Sequence, residues 1–221
     1  NDTYLINDFN QNTFRGFIDY LNTPGKSQLS GDSPKSYYRR FKKIILQAHR
    51  DGYINETSFK NVIFKANTES SESTLTKEIL TEDEIKLLFS VPCGNEEVKR
   101  AFLFSCYTGL GLAEIKQLTW SKIKNDRLIM HRLKTGTEIN IKLSNTALEL
   151  LGEKKQSKDL IFMLKLNNKF ISDTAVNKTI KNWIKRADID KKITYYCSRH
   201  SFACRLLLNG ANLKSVSDAL A

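Results

Sequence analysis

The sequence lacks the features that mark membrane-spanning and secreted proteins. No stretch approaches the roughly 20 consecutive apolar residues that a membrane-spanning helix needs. The first ten residues, NDTYLINDFN, have neither a basic start nor an apolar run, so they do not resemble a secretory signal peptide. We therefore expect a cytoplasmic protein with no membrane partner. Its many Lys, Asn and Ile residues suggest an AT-rich bacterial genome.

Metal-ligating residues are few and scattered. The four cysteines lack Cys-x-x-Cys spacing, and the three histidines stand far apart, at positions 49, 131 and 200. Zinc sites need such residues at close, regular spacing, so we predict no metal and no cofactor. Cys106, Cys197 and Cys204 stand among apolar residues, which indicates small core side chains with reduced thiols.

Acidic residues are in deficit. The 221-residue chain has 35 Lys and Arg against 24 Asp and Glu, a net charge of +11. Such a surplus favours a polyanionic partner, and nucleic acid is the commonest one. We predict double-stranded DNA as the partner and no small-molecule substrate. The alternative is a basic surface that is merely solvated.

The chain divides into two regions. Residues 1–65 are predicted to form a small helical unit, 66–78 a Ser/Thr/Glu-rich linker, and 79–221 a larger domain. Apolar residues recur at helical spacing within 11–23 and 35–50. Residues 39–50, within the second of these helices, carry five Lys and Arg residues and no acid, which favours contact with phosphates over a simply solvated face. These cations are Arg39, Arg40, Lys42, Lys43 and Arg50.

The larger domain is predicted to be mainly α with a small antiparallel sheet. Thr81 and Glu84 form a capping-box pattern, and Asn95 and Ser144 are N-cap candidates. Two short β-like runs, 127–134 and 137–143, are joined through Thr135-Gly136, and the second alternates apolar and polar residues as a hairpin strand does. Later helices are expected around Val176–Ile184, around Phe202–Leu207 and from residue 212.

Three motifs in this domain have a characteristic order. They are YTGLGLAEIKQLTW (107–120), RLKTGTEINIKL (132–143) and ITYYCSRHSFACRLLLNG (193–210). Together they resemble the catalytic domain of the tyrosine recombinases, the phage integrase family. The N-terminal helices, with ILQAHRDGYI (45–54), resemble the core-binding domain that precedes it in that family. The resemblance covers nearly the whole chain.

The resemblance implies metal-free DNA recombination. A tyrosine attacks a DNA phosphate, and the 3′-phosphotyrosine link conserves the bond energy, so that rejoining needs no ATP. Two arginines neutralise the phosphate through bidentate hydrogen bonds. A hairpin lysine protonates the leaving 5′ oxygen, and a histidine assists proton movement.

Carried onto this sequence, the resemblance places Arg199 at the second arginine and Lys134 at the lysine. Glu114 matches an acid that supports the arginines. The expected DNA contacts are His200 and, in the first region, Arg39, Arg40 and Lys43. Self-association on DNA is also implied.

The chain departs from the family at three points. Gly111 stands at the first arginine, a loss worth about 100- to 1,000-fold in rate. Tyr196 stands at the histidine, where a phenol is a poor proton shuttle near neutral pH. The nucleophilic tyrosine is expected beyond Ala221. We consider Arg100, upstream in the preceding helix, as a substitute for the missing arginine.

Each retained residue also has an ordinary explanation. Lys134 could be a turn lysine, Arg199 a helix-start ion-pair partner, His200 a structural hydrogen-bonding group and Glu114 an exposed helix acid. Three functions therefore compete. The first is a recombinase that is inactive in this stretch alone, the second a degenerate DNA-binding relative, and the third a plain helix-turn-helix regulator, which leaves the Lys134 hairpin unexplained.

Overall fold

The computed structural model describes residues 9–23, 25–27, 29, 33–54, 58–65 and 78–220. The chain divides into two compact units, an N-terminal unit of residues 1–76 and a C-terminal unit of residues 77–221. Nearly all of the predicted linker, 66–78, lies outside the described residues. In the described part of the chain, no helix combines the length and apolar character needed to span a membrane.

Two helices build the N-terminal unit, α1 (Gln11–Asn22) and α2 (Ser33–Arg50). Asn10 caps α1 by accepting hydrogen bonds from the backbone of the first turn. The apolar faces of the two helices bury Phe14 and Tyr38 against each other, with their rings edge to face. The Tyr38 hydroxyl donates to the carbonyl of Val62 at 2.8 Å, which fixes the segment after α2 against the helix pair.

The C-terminal unit contains most of the regular structure. Its helices are α3 (Glu82–Ser90), α4 (Glu96–Thr108), α5 (Leu112–Lys116), α6 (Asn145–Leu151), α7 (Asp173–Arg186), α8 (Tyr195–Leu208) and α9 (Leu213–Leu220). The predicted caps are confirmed: Thr81 and Glu84 form the reciprocal capping box, and Asn95 and Ser144 each accept from the third residue of their helix.

A three-stranded antiparallel sheet contains β1 (Ile123–Lys124), β2 (Arg127–His131) and β3 (Glu138–Lys142), in that order. The predicted hairpin is β2–β3, with Arg127 opposite Lys142 and His131 opposite Glu138. Strand β1 and a second hairpin, β4 (Lys165–Leu166) with β5 (Lys169–Phe170), were not predicted from the sequence. Strands of two residues are too short for an alternating pattern to reveal them.

Helix α4 lies at the centre of this unit. Residues Ala101–Cys106 are all buried, because α6, α7 and α8 pack around the helix. Trp183 of α7 meets the Phe102 ring edge-on and donates its indole N–H to the carbonyl of Val91 at 3.0 Å. The mainly α fold with a small antiparallel sheet is as the sequence predicts, and it places the C-terminal end of α4 beside α8.

Candidate functional site

The site is built around the turn that ends α4. Gly109 has a φ of +68°, the left-handed conformation that glycine adopts without steric cost. A Cβ at this position would stand 2.5 Å from the Phe202 ring, so α8 packs directly on the glycine. This turn directs the Gly109 carbonyl toward two arginine side chains.

Arg199 is one of these arginines. It lies in the second turn of α8, and its Nη1 donates to the Gly109 carbonyl at 3.0 Å. Its Nη2 donates to the carbonyl of Leu220, near the end of α9. The structure therefore brings together the motif at 107–120 and the motif at 193–210, which lie far apart in the sequence.

Glu114 and Gly111 lie at the start of α5. Glu114 is 8% exposed, and its Oε2 accepts from the backbone N–H of Gly111 at 2.6 Å. Gly111 has an ordinary φ of −81° and is only partly buried. Position 111 thus contributes a backbone donor that binds Glu114, and no side-chain charge.

Arg132 is a further charged residue at this site, and it was not predicted from the sequence. It is 4% exposed, and its Nη1 lies 3.4 Å from both the Gly109 carbonyl oxygen and Glu114 Oε2. Its Nη2 donates to the carbonyl of Ala219 at 2.8 Å. A signal was present: side chains alternate in a strand, so Arg132 continues the buried series of Leu128 and Met130.

The surroundings of Arg132 are electrostatically unfavourable for an arginine. Burial lowers the pKa of Arg132, and the positive charge of Arg199 lowers it further, while Glu114 opposes both. A guanidinium nevertheless remains charged near neutral pH. We call Arg132, Arg199 and Glu114 the guanidinium cluster; it carries two positive charges and one negative charge.

Other predicted site residues lie in more open positions. Lys134 is exposed in the β2–β3 turn, and it makes no hydrogen bond or ion pair with the residues that the structure describes. Tyr196 is 55% exposed and meets the His200 ring edge-on, with 4.7 Å between ring centroids. Both positions leave the side chain accessible to a macromolecule.

Arg100 does not reach the guanidinium cluster. Its Nη2 donates to Glu97 at 3.0 Å and to the Ile161 carbonyl at 2.6 Å, and its guanidinium lies over the Phe162 ring. These contacts tie α4 to the segment before β4. Arg100 is therefore a structural residue and does not occupy the position of the missing arginine.

Tyr195, next to the exposed Tyr196, is a core residue. It is 3% exposed, and its hydroxyl is 2.8 Å from both the Ser105 hydroxyl and the Ala101 carbonyl. Burial raises the pKa of the Tyr195 hydroxyl. The Tyr195 hydroxyl is therefore held by hydrogen bonds inside the core.

The cations of α2 divide into two kinds. Arg39, Arg40 and Lys43 are exposed and unpaired among the described residues. Lys42 instead donates its Nζ to the carbonyls of Lys60 and Val62, at 2.8 and 2.9 Å. Lys42 therefore holds the N-terminal unit together, and its three neighbours face solvent.

Comparison with known families gives two matches. A model described as the phage integrase family matches residues 78–221. A model described as a phage integrase SAM-like domain matches residues 1–67. Between them they account for both compact units.

Individual relatives agree with these matches. Tyrosine recombinase XerD from Staphylococcus epidermidis is 30% identical over 207 residues, covering 86% of this chain and 68% of that protein. The Tn1549 transposon integrase in complex with circular intermediate DNA superposes with a TM-score of 0.71 at 16% identity, covering 98% of this chain and 78% of that one. A lambda integrase dimer bound to a COC′ core site gives a TM-score of 0.73 at 17% identity, covering 100% and 78%.

Proposed function

Because this chain belongs to the phage integrase family, the tyrosine recombinases, we propose that it binds duplex DNA and that the complete gene product cuts and rejoins DNA through a 3′-phosphotyrosine. The observation that carries this proposal is the hydrogen bond from Arg199 to Gly109, which joins two of the three recombinase-like motifs at one place. The similarity to integrase structures solved with DNA supports the choice of partner.

Within this proposal each unit has a role. The N-terminal unit is the core-binding domain, where Arg39, Arg40 and Lys43 contact DNA phosphates from an exposed helical face. The C-terminal unit is the catalytic domain. There Arg199 binds the non-bridging oxygens of the phosphate, and Glu114 orients the surrounding donors.

The residues assigned to proton transfer and to further DNA contacts are exposed or partly exposed. Lys134 lies in a turn that leaves its ammonium group accessible, so it can donate a proton to the departing 5′ oxygen. Tyr196, at the position of the family histidine, can hydrogen-bond a phosphate oxygen but transfers protons poorly near neutral pH. His200 lies against Tyr196 and is proposed as a DNA contact.

The test of DNA binding is a salt titration. We expect the affinity for a fluorescein-labelled duplex, measured by anisotropy, to fall linearly on a log–log plot as salt rises, because bound phosphates release their counterions. An affinity that does not change between about 50 and 200 mM salt would contradict phosphate-driven binding.

A second candidate is a DNA-binding relative without catalytic activity, which Gly111 and Tyr196 favour. A nicked suicide substrate separates the two functions, because cleavage on it traps the covalent intermediate. An adduct that survives denaturant, formed by the complete gene product, indicates a recombinase. Salt-sensitive binding without any adduct indicates the non-catalytic relative.

Self-association on DNA also belongs to this proposal, because one similar structure is a dimer on its core site. Sedimentation of the complete gene product with and without duplex tests it. We expect a heavier complex with two protein copies when the duplex is present, and a single copy per duplex would contradict the proposal.

A further inference from the structure

We propose that Arg132 supplies the phosphate-binding guanidinium that position 111 lacks. This inference rests on the proposed function, because it names a second cation for the same phosphate. Phosphoryl transfer without a metal leaves the charge on the non-bridging oxygens to be neutralised by the protein. Gly111 contributes no side chain to that task, and Arg100 is bound elsewhere.

The position of Arg132 supports the substitution. Glu114 Oε2 accepts from the Gly111 backbone N–H at 2.6 Å and from Arg132 Nη1 at 3.4 Å. A single carboxylate oxygen therefore separates the Arg132 guanidinium from the backbone of position 111. Arg132, which follows β2, therefore brings to the start of α5 the positive charge that Gly111 does not supply.

The relation of Arg132 to Arg199 points the same way. Both guanidinium groups donate to the Gly109 carbonyl oxygen, at 3.4 and 3.0 Å. Two like charges held this close repel each other, as the lowered pKa of Arg132 reflects after the larger effect of its burial. An arrangement that bears this cost suits a site whose ligand is an anion bound by both groups.

Two backbone carbonyls, which are neutral, accept hydrogen bonds from the guanidinium cluster. The carbonyls of Ala219 and Leu220, at the end of α9, accept from Arg132 and Arg199 respectively. A phosphate offers a guanidinium two oxygens in a bidentate arrangement and a negative charge, both of which a backbone carbonyl lacks. A phosphate oxygen can therefore take the place of a carbonyl at the cluster, with a displacement of the last turn of α9.

An ordinary structural role for Arg132 explains less. If Arg132 served only to form an ion pair with Glu114, its guanidinium would not need to lie beside Arg199. The Glu114 Oε2 atom also accepts already from the Gly111 N–H, at a shorter distance than from Arg132. The inward positions of β2, which Arg132 directly follows, are Leu128 and Met130, and both are apolar, as core positions usually are. A buried cation at the next inward position is better explained by a ligand.

The experiment compares Arg132→Met with Arg127→Met in the 221-residue chain. Arg127 begins β2, the strand that Arg132 directly follows, but it donates to Asn140 at the exposed side of the sheet. Binding of inorganic phosphate is measured by calorimetry at low ionic strength. We expect about 10- to 100-fold weaker binding for Arg132→Met, the size of a lost charge-assisted hydrogen bond. For Arg127→Met we expect a change within about 2-fold.

A second-site rescue makes the test specific. A side chain at Gly111 meets only the movable Glu114 carboxylate, at 2.9 Å from its Cβ, and has no backbone strain. Adding Gly111→Arg to the Arg132→Met variant should therefore restore most of the phosphate affinity. In the wild-type background, Gly111→Arg should give no gain, because the position of the charge is already filled.

The outcomes separate this inference from the proposed function. Unchanged phosphate affinity in Arg132→Met, or no phosphate binding by the wild type, overturns the role of Arg132, and salt-sensitive DNA binding would still stand. If the wild-type chain does not bind DNA, the proposed function itself is wrong. If Arg132→Met does not fold, Arg132→Gln is the test variant. It keeps a hydrogen-bond donor for the surrounding carbonyls but removes the charge, and wild-type phosphate affinity in it overturns the inference.

Discussion

Arg132 and Arg199 donate hydrogen bonds to one acceptor, the carbonyl oxygen of Gly109, from a β-hairpin and from a helix that are far apart in the sequence. The acceptor is in position because α4 ends in a left-handed glycine on which Phe202 packs. The geometry of the guanidinium cluster therefore depends on a residue that carries no functional group of its own.

Gly109→Ala should destabilise the C-terminal unit by about 2 to 4 kcal/mol. Backbone strain at positive φ contributes about 1 kcal/mol, and the clash of the new Cβ with the Phe202 ring adds the rest. Gly210→Ala is the matched control, because its φ is +86° but its Cβ would meet open space. Chemical denaturation of both variants should give the larger loss for Gly109→Ala, and equal losses would show that Phe202 yields freely.

Lys43→Met and Lys42→Met should affect different properties of the N-terminal unit. Losing the exposed Lys43 should lower the slope of log affinity against log salt by about one, the value for one phosphate contact. Losing Lys42 should leave that slope unchanged and destabilise the unit by about 1 kcal/mol, because its two backbone acceptors lose their donor. Anisotropy titrations measure the slope, and thermal unfolding measures the stability. Identical slopes of log affinity against log salt for the two variants would show that Lys43 does not contact a DNA phosphate.

Glu84→Gln should alter the pH dependence of stability. Burial alone raises the pKa of Glu84, but hydrogen bonds from Lys191 and Thr81 outweigh it, and the net shift is downward. The folded-state pKa therefore lies below the unfolded value, so the stabilisation is complete above about pH 4.5 and disappears as pH falls through the folded pKa. The free energy of unfolding should be about 1 kcal/mol higher for the wild type than for Glu84→Gln at neutral pH, and this difference should disappear in acid.

The control for that prediction is Asp83→Asn in the same helix turn. The Asp83 side chain is 97% exposed and lies 3.9 Å from Lys86, so Asp83→Asn should change the free energy of unfolding by less than about 0.5 kcal/mol. Urea titrations at a series of pH values measure both variants. A difference between wild type and Glu84→Gln that grows as the pH falls would reverse the sign argued here.

Tyr195→Phe should cost about 1 to 3 kcal/mol, because the buried Ser105 hydroxyl and Ala101 carbonyl both lose a partner. Tyr196→Phe, at a position that is 55% exposed, should change stability by less than about 0.5 kcal/mol. Neither variant should change the salt dependence of DNA binding. Comparable unfolding midpoints for the two variants would contradict the structural role of Tyr195.

Features that depend on neighbours in the chain could be predicted from the sequence. The capping box of Thr81 and Glu84 joins residues three apart, so its hydrogen bonds form wherever that turn of helix forms. The left-handed end of α4 at Gly109 and the β2–β3 pairing follow from equally local patterns. The motifs also indicated the family, which the comparisons confirm.

The tertiary structure decided which charged residues meet. Lys42 and Lys43 are adjacent in one cationic helix, and only the packing of the segment at 60–62 makes the first structural and leaves the second exposed. Strand alternation shows that Arg132 points inward, but its partners come from α4, α5 and α9. Backbone patterns repeat over two to four residues and fix the direction of a side chain. What that side chain reaches depends on segments that only folding brings together.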